Sequence, residues 1–490
     1  MEPPRLGRRG APALLAVLGL FACSGGEPPT APQAPTLATS SLPLVNSLAD
    51  PGDGLCTPAE CTLREALFDP TRSEIGFAKG FGGTITLDPT VGTLVIDGRF
   101  LSISGPTRGL VIQRRAGDPE FGILAVRNGA HLRLANLTLR GGAAIRGGGI
   151  EVAGSELSLV NVTVAGNSAG ATGGGIYVDD SQVFLTKSTV SGNSSGVHGG
   201  GIYNDGQVTL TTSTVRDNTA VSSGGGIYNI SSDLTLVQST IQGNEAAGLD
   251  DGFEGGGGVY NVGPGTVVVA GTTIAGNRAP EASGAGLFTI NTLPQFPIIA
   301  TSTISGNSAA VYGGGIYTNN SAVVAYNSTV SGNRAVFGGG AWATQDATLS
   351  LINSTVATNG AETGGGLGTL SGGALNLINS LVARNTASNI EPDVSKAAST
   401  ALSARFTLVG DGTGSGIADA VDGNKVGTGT GPVDPKIGKL ANNGGPTKTH
   451  ALLTGSPAIN AGSDADCLTT DQRGVARPRG AHCDMGSYER

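Results

Sequence analysis

The chain has 490 residues, a formal net charge of −8, 13% charged and 4% aromatic residues, and 82 glycines. It is too apolar for a disordered chain, its glycines follow no collagen period, and no basic stripe marks a nucleic-acid partner. Length alone allows two or three domains, but a repeat can build one elongated body instead.

The N-terminus has the layout of an export signal. Arg5, Arg8 and Arg9 precede an apolar run, Ala11–Phe21, and Ala22 comes just before Cys23. The run is too short to be a normally flanked spanning helix. Leu20-Phe21-Ala22-Cys23 resembles a bacterial lipobox, in which the cysteine is lipidated, so we assign residues 1–22 as a lipoprotein signal and Cys23 as the lipid site. Residues 23–48, with Pro28, Pro29, Pro32 and Pro35, read as an extended tether.

With Cys23 set aside, Cys56 and Cys61 lie close together, as do Cys467 and Cys483. Two local disulfides are expected, and no CxxC points to a metal. Residues 49–82 read as an N-terminal cap. Asp50 to Gly54 is turn chemistry, and its Asp50 and Asp53 could hold calcium, although the loop is not that of an EF-hand. Thr62-Leu63-Arg64-Glu65 has the form of a helix capping box, and the short helix it starts would cover an otherwise open first coil.

Residues 83–390 read as one solenoid. Short apolar or alternating runs occur at Thr84–Leu87, Leu94–Ile96, Leu101–Ser104, Leu110–Ile112, Ile123–Val126 and Leu132–Leu139, separated by turn signals. From Gly141 the repeat is explicit. Gly199-Gly200-Gly201-Ile202-Tyr203-Asn204 recurs at Gly173, Gly224 and Gly313, with looser copies at Gly147, Gly256, Gly284, Gly338 and Gly364. Starts at 147, 173, 199 and 224 are 26, 26 and 25 residues apart. Each unit continues through Val-Thr-Leu to Ser-Thr-Val-x-x-Asn, three strand candidates and three turns. That is one coil of a triangular parallel β-helix, stable only when stacked. With ~4.8 Å between strands, about a dozen coils give a rod on the order of 60 Å long.

The third-turn asparagines, Asn167, Asn193, Asn218, Asn244, Asn277, Asn307, Asn333, Asn359 and Asn385, fall in register. Stacked amides can hydrogen-bond from coil to coil, so we read a structural ladder. Long spacings near residues 245–300 mark insertions, one with Glu245, Asp250, Asp251 and Glu254, the other with Asn291–Pro297. Such loops often lie on a binding face. Residues 391–433 read as an irregular linker, and 434–490 as a C-terminal cap closing that end.

These residues resemble a bacterial family of right-handed parallel β-helix surface proteins with the pectin-lyase-like fold, kin to polymorphic outer-membrane protein repeats. Cys61-Thr62-Leu63-Arg64-Glu65-Ala66-Leu67 is similar to the family's entry motif. Asn442 to Thr447, Gly455 to Gly462, Thr470 to Gly474 and Cys483 to Gly486 resemble its C-terminal choice-of-anchor Q region. The resemblance implies the fold and a surface location, and hardly any chemistry.

Apparent catalytic motifs dissolve on inspection. Gly166-Asn167-Ser168-Ala169-Gly170 and Gly192-Asn193-Ser194-Ser195-Gly196 lie in the asparagine turn, without the strand-turn-helix context of a nucleophile elbow. Gly255–Gly258 lacks a phosphate-loop lysine. Asp179 and Asp205 share one repeat offset beside Asp180, an acidic pair one coil apart; as a solvated turn it needs no function, and as a site it could bind calcium or act on a glycan. Tyr177, Tyr203, Tyr228, Tyr260, Phe288, Tyr317 and Trp342 share another offset, next to Ile176, Ile202 and Ile227. Consecutive strand residues point to opposite faces. Glu151 fills the aromatic position in the first copy, so the rings should face out, packing on each other or forming a platform on which pyranose faces stack.

The reading is an all-β protein: one right-handed parallel β-helix with a short capping helix and an irregular C-terminal cap. We expect an exported, lipid-anchored surface protein, on an outer membrane if the host has one. Adhesion, glycan binding or structural service is the expected role, as a monomer without a cofactor. The alternative is a polysaccharide lyase, hydrolase or epimerase using the Asp179/Asp205 face.

Overall fold

The computed structural model describes residues 43–50, 54–248 and 254–490. Cys23, the tether up to residue 42, Asp53, Asp250 and Asp251 lie outside the described residues. No helix among those described is long and apolar enough to cross a membrane.

The apolar runs become strands of a parallel β-solenoid. One coil runs Ile202–Thr211, Thr214–Arg216 and Thr219–Ala220. Its first strand belongs to a 23-stranded sheet, its second to a 14-stranded sheet and its third to a 7-stranded sheet. The expected glycine-rich and Val-Thr-Leu strands thus share one wide sheet, and a two-residue strand after the asparagine supplies the third face. Its pattern is too short to read from the sequence.

Ile176, Ile202, Ile227, Val208, Leu210 and Val215 point inward, with at most 1% of their surface exposed. Neighbouring coils repeat them in register, Ile176 against Ile202 and Ile202 against Ile227. Each of the three glycines is required for its own reason. Gly199 has φ +65°; a Cβ on Gly200 would lie 2.2 Å from the Thr219 carbonyl oxygen, and one on Gly201 2.5 Å from that of Gly226. The turn brings backbone against backbone, which no side chain allows.

The asparagine ladder holds a different turn, the one between the second and third strands of each coil. Asn193 donates its Nδ2 to Asn218 Oδ1 at 2.9 Å and to the Val164 carbonyl at 3.1 Å, while its backbone N–H reaches the same Oδ1 at 2.9 Å. The pattern continues from Asn167 to Asn385, all buried. A second ladder, not anticipated, comes from the serine of Ser-Thr-Val. The N–H of Ser188 donates to Ser213 Oγ, and that of Ser213 to Ser239 Oγ. It continues through Thr272, Ser302, Ser328 and Ser354 to Ser380.

The two ends differ. At the N-terminus, helix α1 (Leu63–Phe68) has the capping box on Thr62 and Glu65 and places Leu63, Ala66 and Leu67 in the core. Arg64 is buried, pairing with Asp50 at 2.6 Å and donating to the carbonyl of Gly92 at 2.7 Å, so the motif's arginine fastens the helix to the first coil. Asp50 accepts from Arg64 through both carboxylate oxygens and from the Asp88 N–H. The cysteines pair as Cys56–Cys61 and Cys467–Cys483.

Residues 391–433, read as irregular, carry strands Val394–Lys396, Ala401–Arg405, Leu408–Val409 and Lys425–Val426 that extend the wide and the 14-stranded sheets. The period is lost there, but the coil is not. Residues 434–490 do not close the end as expected. They fold back along the flank of the 14-stranded sheet, where Gln472 Nε2 donates to Ser302 O and Thr303 Oγ1, and Ser487 contacts Thr329 and Thr355. Met485, Ala458, Ile437 and Leu452 make a second core there with Leu381, Ala383 and Leu408. Asp471, buried, accepts the N–H groups of Arg473, Val475 and Glu489. The motifs that resemble the anchor region are therefore docking residues for this flank.

Asp393 ends the asparagine ladder. One carboxylate oxygen accepts both donors of Asn385, at 3.1 and 2.8 Å, and the other accepts the Asp411 N–H at 2.6 Å. Burial pushes its pKa up to about 6 against these bonds.

Two outcomes follow. Asn218→Ala leaves two donors of Asn193 without an acceptor and should cost about 3 kcal/mol or more at 1–3 kcal/mol per orphaned group; Gly200→Ala should cost at least as much, and denaturant unfolding measures both. Because the Asp393 pKa is raised by folding, the stability it contributes is complete below about pH 4 and lost as pH rises through about 6. Asp393→Asn should flatten that step in a comparison of melting against pH.

Candidate functional site

The wide sheet carries the sequence's site candidates on its outer surface. In register there run Glu151, Tyr177, Tyr203, Tyr228, Tyr260, Phe288, Tyr317, Trp342 and Gly368. From Tyr177 to Phe288 the rings stack nearly parallel, centroids 5.2, 5.3, 5.1 and 4.7 Å apart and planes within 16°. Phe288 and Tyr317 meet tilted, at 4.9 Å and 60°.

The expected direction is right: the isoleucines fill the core, and the rings form a separate cluster outside it. Of the two arrangements open to them, the rings pack on each other. A pyranose stacks on a ring's face, and here the faces are spent on neighbouring rings. The column is closed at its ends and sides as well. Arg146 lies 5.3 Å over Tyr177, His198 stacks on Tyr228 at 4.3 Å, and Tyr312 lies beside Tyr317 and Trp342. Gly368 makes room for the indole, since a Cβ there would sit 1.9 Å from Trp342 Cζ3. Phe288 is fully buried, Trp342 is 3% exposed, and Tyr203 alone of the seven is half-buried. Strand alternation fixes a side chain's direction, but not what the next turn lays over it.

Folding raises the pKa of three of these phenols. Burial, then Tyr203 and Glu254, pushes Tyr228 up to about 12. Tyr177 and Tyr203 are also raised, first by burial, then by Asp179 and Asp205 respectively.

The acidic group does assemble. Asp179 and Asp205 pair in register across adjacent strands, and Asp180 follows at an irregularity in that pairing, with φ +43°. Asp180 and Asp205 are exposed and Asp179 is half-buried. Partial burial, then the charges of Asp179 and Asp180, raises the pKa of Asp205. Arg146, which sequence reasoning passed over, stands close to Tyr177 and Tyr203, and its position in register with Thr172 was a signal in the repeat. The result is a shallow polar strip: three carboxylates, the Tyr203 phenol and one guanidinium. Among the described residues no group of three His, Cys, Asp or Glu side chains could hold a metal ion.

Ser168 and Ser194 lie on the outer side of the 7-stranded sheet and Ser195 on its buried side, next to ladder residues Asn167 and Asn193. A shallow depression of about 390 Å³ opens there, lined by Ser194, Ser195, Thr219 and Glu245. Ser331 bonds to His450 at 2.9 Å, which joins the C-terminal segment to its flank. Of the insertions, Glu254 is buried and bonded to Ser222, and Leu293 and Phe296 are exposed.

Titration should show the tyrosines' role. Tyr228 should give no tyrosinate absorbance until about pH 12, and melting temperature should fall as pH rises from 10 toward 12, because folding raises that pKa. A buried-tyrosine signal near pH 10 would contradict the packing.

Residues 148–254 match the family model described as right handed beta helix region. No curated protein matches. Among solved structures, pectate lyase Pel9A aligns over 93% of this chain and 98% of its own, with 13% identity and a TM-score of 0.37. The chain is an all-β, right-handed parallel β-helix.

Proposed function

We propose that this is an exported, lipid-anchored surface β-helix that binds glycans through the strip of Asp179, Asp180, Asp205 and Tyr203. The export signal and Cys23 support the location. The observation that carries the binding reading is the pairing of Asp179 with Asp205 in register, which fixes two carboxylates beside a half-buried phenol on a rigid sheet. Carboxylates and phenols accept and exchange hydrogen bonds with sugar hydroxyls. Three negative charges on an open strip disfavour uronates, so neutral or amino-bearing sugars are the favoured ligands. A preorganised flat strip binds extended chains weakly and repeatedly along a surface, as adhesion or wall association requires.

The raised pKa of Asp205 beside Asp179 favours one second reading, glycoside hydrolysis. Two carboxylates fixed in register one coil apart, one with its pKa raised, are the groups such a reaction uses.

Asp179→Asn with Asp205→Asn tests both. On a glycan array the pair should lose at least tenfold in binding to whatever neutral or amino sugars the parent retains. Equal retention by both proteins, or none by the parent, contradicts the binding reading. Reducing-end release by the parent from a polysaccharide panel, abolished in the double variant, would establish hydrolysis instead.

A further inference from the structure

The net charge of −8 conceals a segregation along the chain. Residues 99–146 hold eight arginines, no lysine and two acids, Asp118 and Glu120; residues 147–260 hold eleven acids against Lys187 and Arg216. Some of these arginines are committed. Arg99 donates to the carbonyls of Leu67 and Asp69, Arg114 to those of Asp118, Pro119 and Gly141, and Arg127 pairs with Asp97. Arg108, Arg115, Arg133 and Arg140 are exposed, and among the described residues none of the four is ion-paired; Arg140 is held only by Gln113. Arg133 lies on the wide sheet and Arg140 on the 14-stranded sheet, and Arg108 and Arg115 flank the strand Leu110–Gln113.

The same end is apolar. Of fourteen exposed large hydrophobic side chains among the described residues, eight fall between Leu44 and Ile145, under a quarter of the chain. Leu55 is 84% exposed, Phe68 57% and Ile145 75%. The cap itself is not basic: it carries Glu60 and Glu74 with Lys79, and Asp88 follows it, while Asp69 is occupied by Arg72 and Thr71.

We propose that the N-terminal end of the rod is a membrane-docking surface, its exposed apolar side chains entering the headgroup layer of an anionic bilayer and its unpaired exposed arginines pairing with lipid phosphates. Guanidinium matches phosphate by paired hydrogen bonds, which favours arginine over lysine. A soluble polyanion would use the arginines but not Leu55 and Phe68, whereas a bilayer surface uses both. The chain ahead of residue 43 points to the same occupant. Residues 24–42 can span at most about 65 Å from Cys23, so docking decides whether the rod stands on the membrane or hangs from it. This orientation rests on the lipid-anchored reading, but docking can be measured without the lipid.

The exported chain carrying Cys23→Ser is mixed with phosphatidylcholine vesicles with and without 30% phosphatidylglycerol, and bound protein is sedimented. Binding should require phosphatidylglycerol, fall at least tenfold between 50 and 300 mM NaCl, and fall at least tenfold in Arg108→Gln/Arg115→Gln/Arg133→Gln/Arg140→Gln. It should also fall in Leu55→Asp/Phe68→Asp. All four arginines are exposed, so melting should not change. Docking is overturned by an absence of phosphatidylglycerol-dependent binding, by a quadruple variant that binds like its parent, or by Leu55→Asp/Phe68→Asp having no effect while heparin competes fully. If docking fails but the unmodified chain still fractionates with membranes through Cys23, the anchored reading stands alone.

Discussion

The structure depends on bringing one coil's backbone into contact with the next at a turn where side chains cannot fit. Three consecutive glycines make the approach, with Gly199 in the left-handed region and Gly200 and Gly201 against carbonyl oxygens. Beside them the asparagine ladder runs from coil to coil, Asn193 donating back to Val164 and forward to Asn218 and accepting from Asn167 of the coil before. A buried amide ladder is stable only if every member is paired. Its end therefore needs its own device, and Asp393 provides one by standing where the next asparagine oxygen would be.

Side chains in the repeat sort by which neighbour they meet. Ile202 and its counterparts meet the same residue one coil away and build the core. Tyr203 and its counterparts do the same on the outside, so the rings stiffen the wide sheet and leave the polar strip open at the N-terminal end of the column. Stacked aromatic pairs add about 0.5–1.5 kcal/mol each beyond burial, enough to explain the column without a ligand.

The coil, its inward residues, the capping helix, the local disulfides and the asparagine ladder were legible because each is a local pattern repeated at a fixed step or bounded by a specific motif. The covering of Tyr228 by His198 and of Trp342 by Tyr312 was not, since those contacts join different turns. Nor was the path of residues 434–490, although the flank carries its trace. Outer positions Arg216 and Gln242 give way to Ser305, Ser331, Ala357 and Ala383, small enough to be covered. The acidic pair was legible from its shared offset, whereas Arg146 lay in a different strand and escaped notice.

Native-state hydrogen exchange tests the central claim most directly. If the coil-to-coil ladder holds the rod, the backbone amides of Asn193, Asn218, Asn244, Asn277, Asn307 and Asn333 should exchange as one slow block that opens only with the cooperative unfolding of the solenoid. Exchange of these amides one by one, at the rates of the exposed turns beside them, would contradict it.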